Sequence, residues 1–249
     1  MRILVTFAVD AEFAPWRKLR SFQKVHTGKM DYFTSEINDA VIDVMLIGIG
    51  GKKPWLDVTR EIYKSEIQLC VSSGLAGALR PEHVVGEILV AEKVLATQRD
   101  ISAMSESSLV DCAVALGAKK VSSFYTSDHV IFSAAEKREL GVLADAVEME
   151  SFEVLLEGGM FAEKTVAIRA ISDAAAEDLP LDFNRAADSS GEISMTRVLA
   201  QVVGSPASVP SLVRFAQRSK SAAKALAGFL ERYLLAVVGA EFVKSQGTS

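Results

Sequence analysis

Three acidic clusters stand where the chain leaves apolar, β-branched runs. Asp10 and Glu12 follow residues 3–9, Glu148 and Glu150 flank the end of residues 146–149, and Asp173 follows residues 165–171. In open α/β sheets, ligands bind outside the carboxyl ends of the strands, so acids delivered by separate strands can converge on one pocket. A carboxyl group there can serve as a general acid, and an ionised neighbour can orient water or grip hydroxyl groups. Taken singly, each acid also fits a solvated loop or a helix cap. Asp173 resists that reading most, because a long apolar strand delivers it. Two glycine runs also follow apolar runs, Gly48-Ile49-Gly50-Gly51 and Ser73-Gly74-Leu75-Ala76-Gly77. Glycines there let backbone N–H groups approach a sugar or an anion closely. Neither run has the spacing of a phosphate-binding loop or a dinucleotide fingerprint, and a tight turn accounts for either alone.

The elements that would carry these residues read as strands over 3–9, 41–49, 67–72, 87–95, 121–126, 146–149 and 165–171. The more continuous runs suit central strands covered on both faces. Helical patterns lie between several of them, over 54–65, 107–116, 134–140 and 151–157. Alternating strands and helices predict an α/β sheet with right-handed crossovers. Beyond Asp173 the pattern changes to a polar, loop-like stretch over 174–191 and then to helices over 193–203 and 211–238, with a Pro/Ser/Gly break over 204–210. The longer helix carries Leu212, Phe215, Leu226, Phe229, Leu230, Tyr233, Leu234 and Val237 near one face. The expected organisation is a catalytic domain over 1–190 and a helical C-terminal extension over 191–249, packed on or near it.

Composition removes several classes. The 249 residues are 49% hydrophobic and 24% charged, with a formal net charge of −5, which excludes disorder. The 27 Lys+Arg against 32 Asp+Glu argue against nucleic acid as partner. Two cysteines, Cys70 and Cys112, make neither a disulfide framework nor a zinc site, and no His/Cys/carboxylate cluster has ligand spacing, so no metal or organic cofactor is expected. The first residues read as a buried strand rather than a signal segment, and no run reaches the ~18 apolar residues of a membrane span. A reducing cytosol is the expected compartment. Six basic and two acidic residues after Pro210 give the tail +4 and leave −9 for the remainder.

The ordered set of motifs is specific. Ala8-Val-Asp-Ala-Glu12, Gly48-Ile-Gly50, Ser73-Gly-Leu-Ala-Gly77, Val85-Gly-Glu-Ile-Leu-Val90, Ser127-Asp128, Ala146-Val-Glu-Met-Glu150 and Arg169-Ala-Ile-Ser-Asp173 resemble the nucleoside phosphorylase/nucleosidase superfamily. The likeness is greatest to its methylthioadenosine/S-adenosylhomocysteine nucleosidase branch. The resemblance implies a three-layer αβα sandwich with a central mixed, partly barrel-like sheet, cleavage of the N-glycosidic bond of a purine nucleoside, and a homodimer. It implies that Asp173 protonates the purine at N7, that Glu12 orients and deprotonates the attacking water, and that Glu150 grips the ribose hydroxyls. It implies Met149 against the sugar, Ser172 and the backbone of Val130 and Ile131 at the purine, and Glu148, Gly74, Leu75 and Ile49 around the nucleoside. Leu75 is bulkier than the Ser or Ala usual in the branch. Val130 replaces an expected stacking aromatic, and the neighbouring His129 reads as a surface or structural histidine.

Water and phosphate are the two nucleophiles such a site can use. Phosphate needs convergent cations. Arg80 and Arg99 are the candidates by position, whereas Arg17 and Arg20 read as surface contacts. A carboxylate at Glu12 favours water, which makes hydrolysis the preferred reading and a phosphorylase the alternative. The tail after 204 loosely resembles the hopanoid-associated nucleoside phosphorylases. That likeness implies a lipid-linked nucleoside and a basic helix at a membrane surface, with a packing helix preferred. A nucleoside-binding module without catalysis is a third reading, weakened by the joint presence of Glu12, Glu150 and Asp173.

Overall fold

The computed structural model describes residues 1–62, 67–97, 99–181 and 209–246. The expected helix over 193–203, most of the 174–191 loop, the break after 204 and the 190/191 boundary lie outside them.

The centre of the fold is β1 (Arg2–Phe7), flanked by β4 (Ala40–Leu46) and β5 (Ile67–Ala78), both parallel to it. Its side chains divide between two layers, as the strand period of two requires. Ile3, Val5 and Phe7 point into the main core, whereas Leu4 points into a second cluster. That is why residues 3–7 are apolar at every position but Thr6, which is itself buried: both faces are covered. Beyond β4, the sheet continues antiparallel through β3 (Asp31–Ile37) to β2 (Gln23–His26). These two strands are not among the runs expected from sequence. β2 is the edge strand and buries none of its four residues, so it lacks an apolar pattern; β3, paired on both sides, buries only Tyr32, Phe33 and Ile37 among polar neighbours.

On the other side the sheet closes on itself. From β5 it passes through β9 (Ala146–Glu148), β8 (Lys119–Thr126), β6 (Ile88–Ala96) and β10 (Ala162–Asp173), and β10 pairs again with β5. This ring contains both parallel and antiparallel pairs, so the expected mixed, partly barrel-like sheet is present. The short β7 (Ala103–Met104) pairs with β6. Small residues of the ring's strands (Ala76, Ala78, Ala91, Ala146 and Ala167) cluster with Phe124, Phe152 and Ile171.

Helices cover both faces. α1 (Asp10–Leu19), α3 (Ser107–Ala115) and α6 (Val209–Gln246) pack over the main core. α2 (Trp55–Ile62) and α5 (Ser151–Gly158) contribute to two further clusters, and Leu140 of α4 (Ala134–Leu140) packs against Leu79, Ile131, Ala144 and Val147. α6 is part of the central core. Ala222, Leu226, Phe229, Leu230, Tyr233, Leu234 and Val237 are all buried in the same cluster as Ile3, Val71 and Ile168. Tyr233 stacks on Phe229 at 5.7 Å and donates its hydroxyl to the Leu109 carbonyl of α3 at 3.2 Å. Glu231 accepts from Trp16 Nε1 at 2.8 Å and pairs with Arg20, joining α6 to the end of α1. The apolar face of α6 from 222 to 238 is therefore spent on the core, and it is not available as a membrane-facing stripe. Among the described residues, no helix is long and apolar enough to cross a membrane.

Candidate active site

Strand ends bring the candidate residues together. β5 and β10 run parallel, with Lys164 opposite Leu69 and Ile171 opposite Ala76. An irregularity between Ile171 and Asp173 then sets Asp173 beside Gly77. A side chain at Gly77 would place its Cβ 2.9 Å from Asp173 Oδ2, and one at Gly74 would place its Cβ 2.9 Å from Glu12 Oε1. The glycines of the 73–77 run are thus needed for the close approach of two carboxyl groups. The two positions are three residues apart, which is roughly 10 Å along a strand.

Glu12 sits in the first turn of α1 and is buried. Its Oε2 accepts from the backbone N–H of Ala8 at 3.0 Å and of Val9 at 3.3 Å, and Oε1 accepts from Leu75 N–H at 2.8 Å. The bland reading as a helix cap therefore holds together with the functional one: the residue ties the helix start to β5 while its carboxyl lines the cavity. Burial pushes its pKa up, against the opposing pull of the Leu75 N–H and of the Arg169 charge.

The Glu148-Met149-Glu150 segment leaves β9 and enters α5. Glu148 is fully engaged: Oε2 accepts from Glu150 N–H at 3.0 Å, Ser151 N–H at 2.7 Å and Arg169 Nη2 at 2.6 Å, while Oε1 accepts from Thr126 Oγ1. Its negative charge satisfies the orphan donors at the start of α5 and fixes Arg169. It is a wall and support of the site. Glu150 makes fewer contacts. Its Oε1 accepts from Gly50 N–H at 3.0 Å and its Oε2 is 3.6 Å from Arg169 Nη2. Burial, with the nearby Glu148 and Glu12 charges, pushes it up to about 8, opposed by Arg169 and the Gly50 N–H. A buried carboxyl with spare acceptor capacity is suited to receive donated hydroxyl hydrogens, which stabilise its ionised form.

Arg169, within the Arg169-Ala-Ile-Ser-Asp173 motif, has a role that its motif alone does not show. It is 1% exposed inside β10 and binds Glu148, Ser72 Oγ at 3.2 Å and the Ile168 carbonyl at 3.4 Å. One guanidinium holds the carboxylate cluster together. The sequence signal was available, since a charged residue within a continuously apolar strand must be paired.

Lys137, in α4, is wholly buried and was not singled out. Its Nζ donates to Asp173 Oδ2 at 2.5 Å and to the carbonyls of Ala174 and Glu177, each at 3.0 Å. On the other side of the carboxyl, Ser172 Oγ donates to Asp173 Oδ1 at 2.6 Å. The serine anticipated at the purine thus also orients the acid.

Arg169 and Lys137 stand behind the carboxyl groups, which line a cavity of about 1060 Å³. Glu12, Ile49, Leu75, Val130, Ile131, Glu148, Met149, Glu150, Ser172 and Asp173 all face it, and Gly74 lies behind Glu12. The cavity extends past the catalytic candidates between α1 and α6, where Ala14, Pro15, Leu19, Leu212 and Phe215 form an apolar wall with Lys18, Lys220 and Lys224 at the surface. This second wall was not anticipated. His129 lies at the edge, its ring nitrogens on Asp128 at 2.6 Å and Glu136 at 3.0 Å, which raise its pKa. That is a surface histidine held by two carboxylates. Neither Arg80 nor Arg99 lines the cavity. Arg80 pairs with Asp145 at 3.4 Å, and Arg99 pairs with Glu153 at 3.4 Å and lies over Phe152. Among the described residues, no group of His, Cys, Asp and Glu is arranged to hold a metal ion.

No family model matches the chain. The aminodeoxyfutalosine nucleosidase of Campylobacter jejuni is 25% identical over 222 residues, covering 80% of this chain and 97% of that protein. The 5′-methylthioadenosine/S-adenosylhomocysteine nucleosidase of Helicobacter pylori, solved with butyl-thio-DADMe-Immucillin-A, superposes with a TM-score of 0.71 at 20% identity, over 94% of this chain and 97% of its own. The chain has the nucleosidase fold. The Campylobacter jejuni 5′-methylthioadenosine/S-adenosylhomocysteine nucleosidase has the same nucleosidase fold, at a TM-score of 0.70 and 20% identity, over 94% of this chain and 99% of that one. A futalosine hydrolase mutant of Helicobacter pylori shares it at 0.69, also at 20% identity, over 94% and 98%. The resemblance to the nucleoside phosphorylase/nucleosidase superfamily read in the sequence is supported by both kinds of relative.

Proposed function

We infer that the chain cleaves the N-glycosidic bond of an adenine nucleoside by hydrolysis. One observation carries the reading: Asp173, Glu150 and Glu12, delivered by three separate elements, face a single cavity. Breaking the C1′–N9 bond leaves an oxocarbenium-like sugar and a purine with excess electron density. Asp173, aimed by Ser172, protonates N7 as the bond breaks. Glu150 accepts the ribose hydroxyls, and Met149 packs on the sugar. Glu12 orients a water at C1′ and takes its proton. The backbone around Val130 and Ile131 borders the purine. The names of the relatives, an aminodeoxyfutalosine nucleosidase and 5′-methylthioadenosine/S-adenosylhomocysteine nucleosidases, support this assignment.

Water is the nucleophile in this reading. The cations expected for phosphate, Arg80 and Arg99, pair elsewhere, and the guanidinium of Arg169 is held by Glu148. A carboxylate at Glu12 would repel an attacking phosphate dianion but can take a proton from water. The substrate class is a nucleoside with a sizeable apolar 5′ substituent. The cavity is at the top of the usual range for small-ligand sites and its additional volume is walled by Leu19, Leu212 and Phe215. Methylthioadenosine fits this description minimally, and a lipid-linked nucleoside would use more of the apolar wall. A homodimer is the proposed assembly, and light scattering at twice the 26.8 kDa of one chain is its check. A reducing cytosol is the proposed compartment, consistent with free Cys70 and Cys112.

A complex with a non-hydrolysable adenosine analogue tests the assignment of roles. N7 is expected within hydrogen-bond distance of an Asp173 carboxyl oxygen, with the ribose hydroxyls on Glu150. A base seated against Glu150, or a ligand bound outside this cavity, would refute it.

A further inference from the structure

The acid at the purine is not a lone carboxyl group. Lys137 is wholly buried and has one charged partner among the described residues, Asp173, at 2.5 Å. Its other two donors go to the carbonyls of Ala174 and Glu177. That arrangement satisfies two proton distributions equally well. As an ammonium, Lys137 has three N–H donors for one carboxylate oxygen and two carbonyls. As a neutral amine it keeps two N–H donors for the same carbonyls, and its lone pair accepts from a protonated Asp173 carboxyl. Neither form leaves a buried donor or acceptor without a partner, so moving the proton between the two residues needs no rearrangement of their surroundings.

We propose that the Lys137–Asp173 pair, rather than Asp173 alone, is the proton source for the leaving purine. An Nζ–H proton of Lys137 passes to the Asp173 carboxyl group, and the carboxyl proton passes to N7 while the C1′–N9 bonding electrons move onto the purine. The base leaves neutral. The lysine amine remains on its two carbonyls until it regains a proton, the balance being closed by the proton that the attacking water gives up at Glu12. Lys137 touches Asp173 and not the purine, so it is a positioning residue that supplies the acid. The inference rests on the hydrolytic reading above and deepens it.

The test is leaving-group dependence. Adenine needs protonation to depart, whereas 4-nitrophenolate does not. In Lys137→Met, kcat/KM for methylthioadenosine should fall by about 10²-fold or more, the scale of general-acid catalysis. With 4-nitrophenyl β-ribofuranoside the fall should be less than about threefold. Equal falls on both substrates would make Lys137 purely structural and overturn the proposal, as would no fall on either. A second measurement covers poor folding or poor cleavage of the activated substrate. In an Asp173→Asn background, Lys137→Met should cause no further loss of methylthioadenosine turnover, because residues acting as one unit are not additive. A full additional loss would overturn the proposal. If the unmodified protein released no adenine at all, the hydrolytic reading would itself fail. Adenine release that survives Lys137→Met undiminished would remove only the lysine.

Discussion

The state of Glu150 sets a pH dependence that can be worked out from the structure. The carboxyl group must be ionised to accept the ribose hydroxyls, yet in the free protein burial and the adjacent Glu148 and Glu12 charges hold its pKa at about 8, against the opposing effect of Arg169 at 3.6 Å and the Gly50 N–H at 3.0 Å. At pH 7 only about a tenth of the free protein then has Glu150 ionised, and at pH 6 about a hundredth. kcat/KM, which reports the free enzyme, should rise about tenfold from pH 6 to pH 7 and level off above pH 8. Glu12, also raised by burial, adds a rising step of its own. Stability runs in the opposite direction. A carboxyl whose pKa is higher folded than unfolded holds an extra proton in the native state between the ordinary value of 4.5 and about 8. Its contribution is full below 4.5 and is lost as the pH climbs through 8. Initial rates of adenine release at substrate concentrations well below KM, from pH 5.5 to 9, measure the first effect, and urea melts of the ligand-free protein measure the second. Glu150→Gln should lower activity across the range and remove its step from both profiles. A wild-type rate profile flat between pH 6 and 8 would refute the reasoning, and so would a variant whose profiles keep the wild-type shape and midpoint.

The supporting shell makes further predictions. Arg169→Met removes the cation from beside Glu148 and Glu150 and leaves buried charges unpaired, which should cost about 3–5 kcal/mol in a urea melt. Gly77→Ala sets a Cβ 2.9 Å from Asp173 Oδ2; it should reduce turnover by at least about tenfold while circular dichroism remains native, since a misplaced acid loses more rate than stability. Leu230→Ala in α6 opens a hole in the main core and should destabilise the protein by about 2–5 kcal/mol, read from the same melts. His129→Ala, which removes a ring already held by Asp128 and Glu136, should leave kcat within about threefold of wild type in the adenine-release assay.

What could be read in the residues, and what could not, follows from where each signal resides. β1 and β10 were legible because covered strands are apolar at nearly every position, and their ends pointed to Glu12 and Asp173. The convergence of ten candidates on one cavity followed from motif order along the chain. The edge strand β2 and its neighbour β3 carry no continuous apolar run, because β2 is solvated and β3 interleaves polar residues with Tyr32, Phe33 and Ile37. Arg169 was quoted within a motif, but its role depends on Glu148, 21 residues earlier, and nothing local shows that partner. Lys137 was less legible still. It falls three residues from both Ala134 and Leu140 on one side of a short helix, and a lone lysine there reads as solvated until the fold brings Asp173 against it. The basic tail illustrates the same limit. Its net charge suggested a surface role, whereas the apolar positions between those charges insert into the central core and Lys220 and Lys224 stand at the mouth of the cavity.

The most direct test of the central claim is the product of cleavage and its dependence on phosphate. The protein should be incubated with methylthioadenosine, S-adenosylhomocysteine, adenosine and inosine, each with and without inorganic phosphate, and the base and sugar products separated. Hydrolysis at this site predicts adenine and a free sugar, at rates that phosphate does not change, with the 5′-substituted nucleosides preferred over adenosine. A sugar 1-phosphate, or the absence of base release from all four, would contradict it.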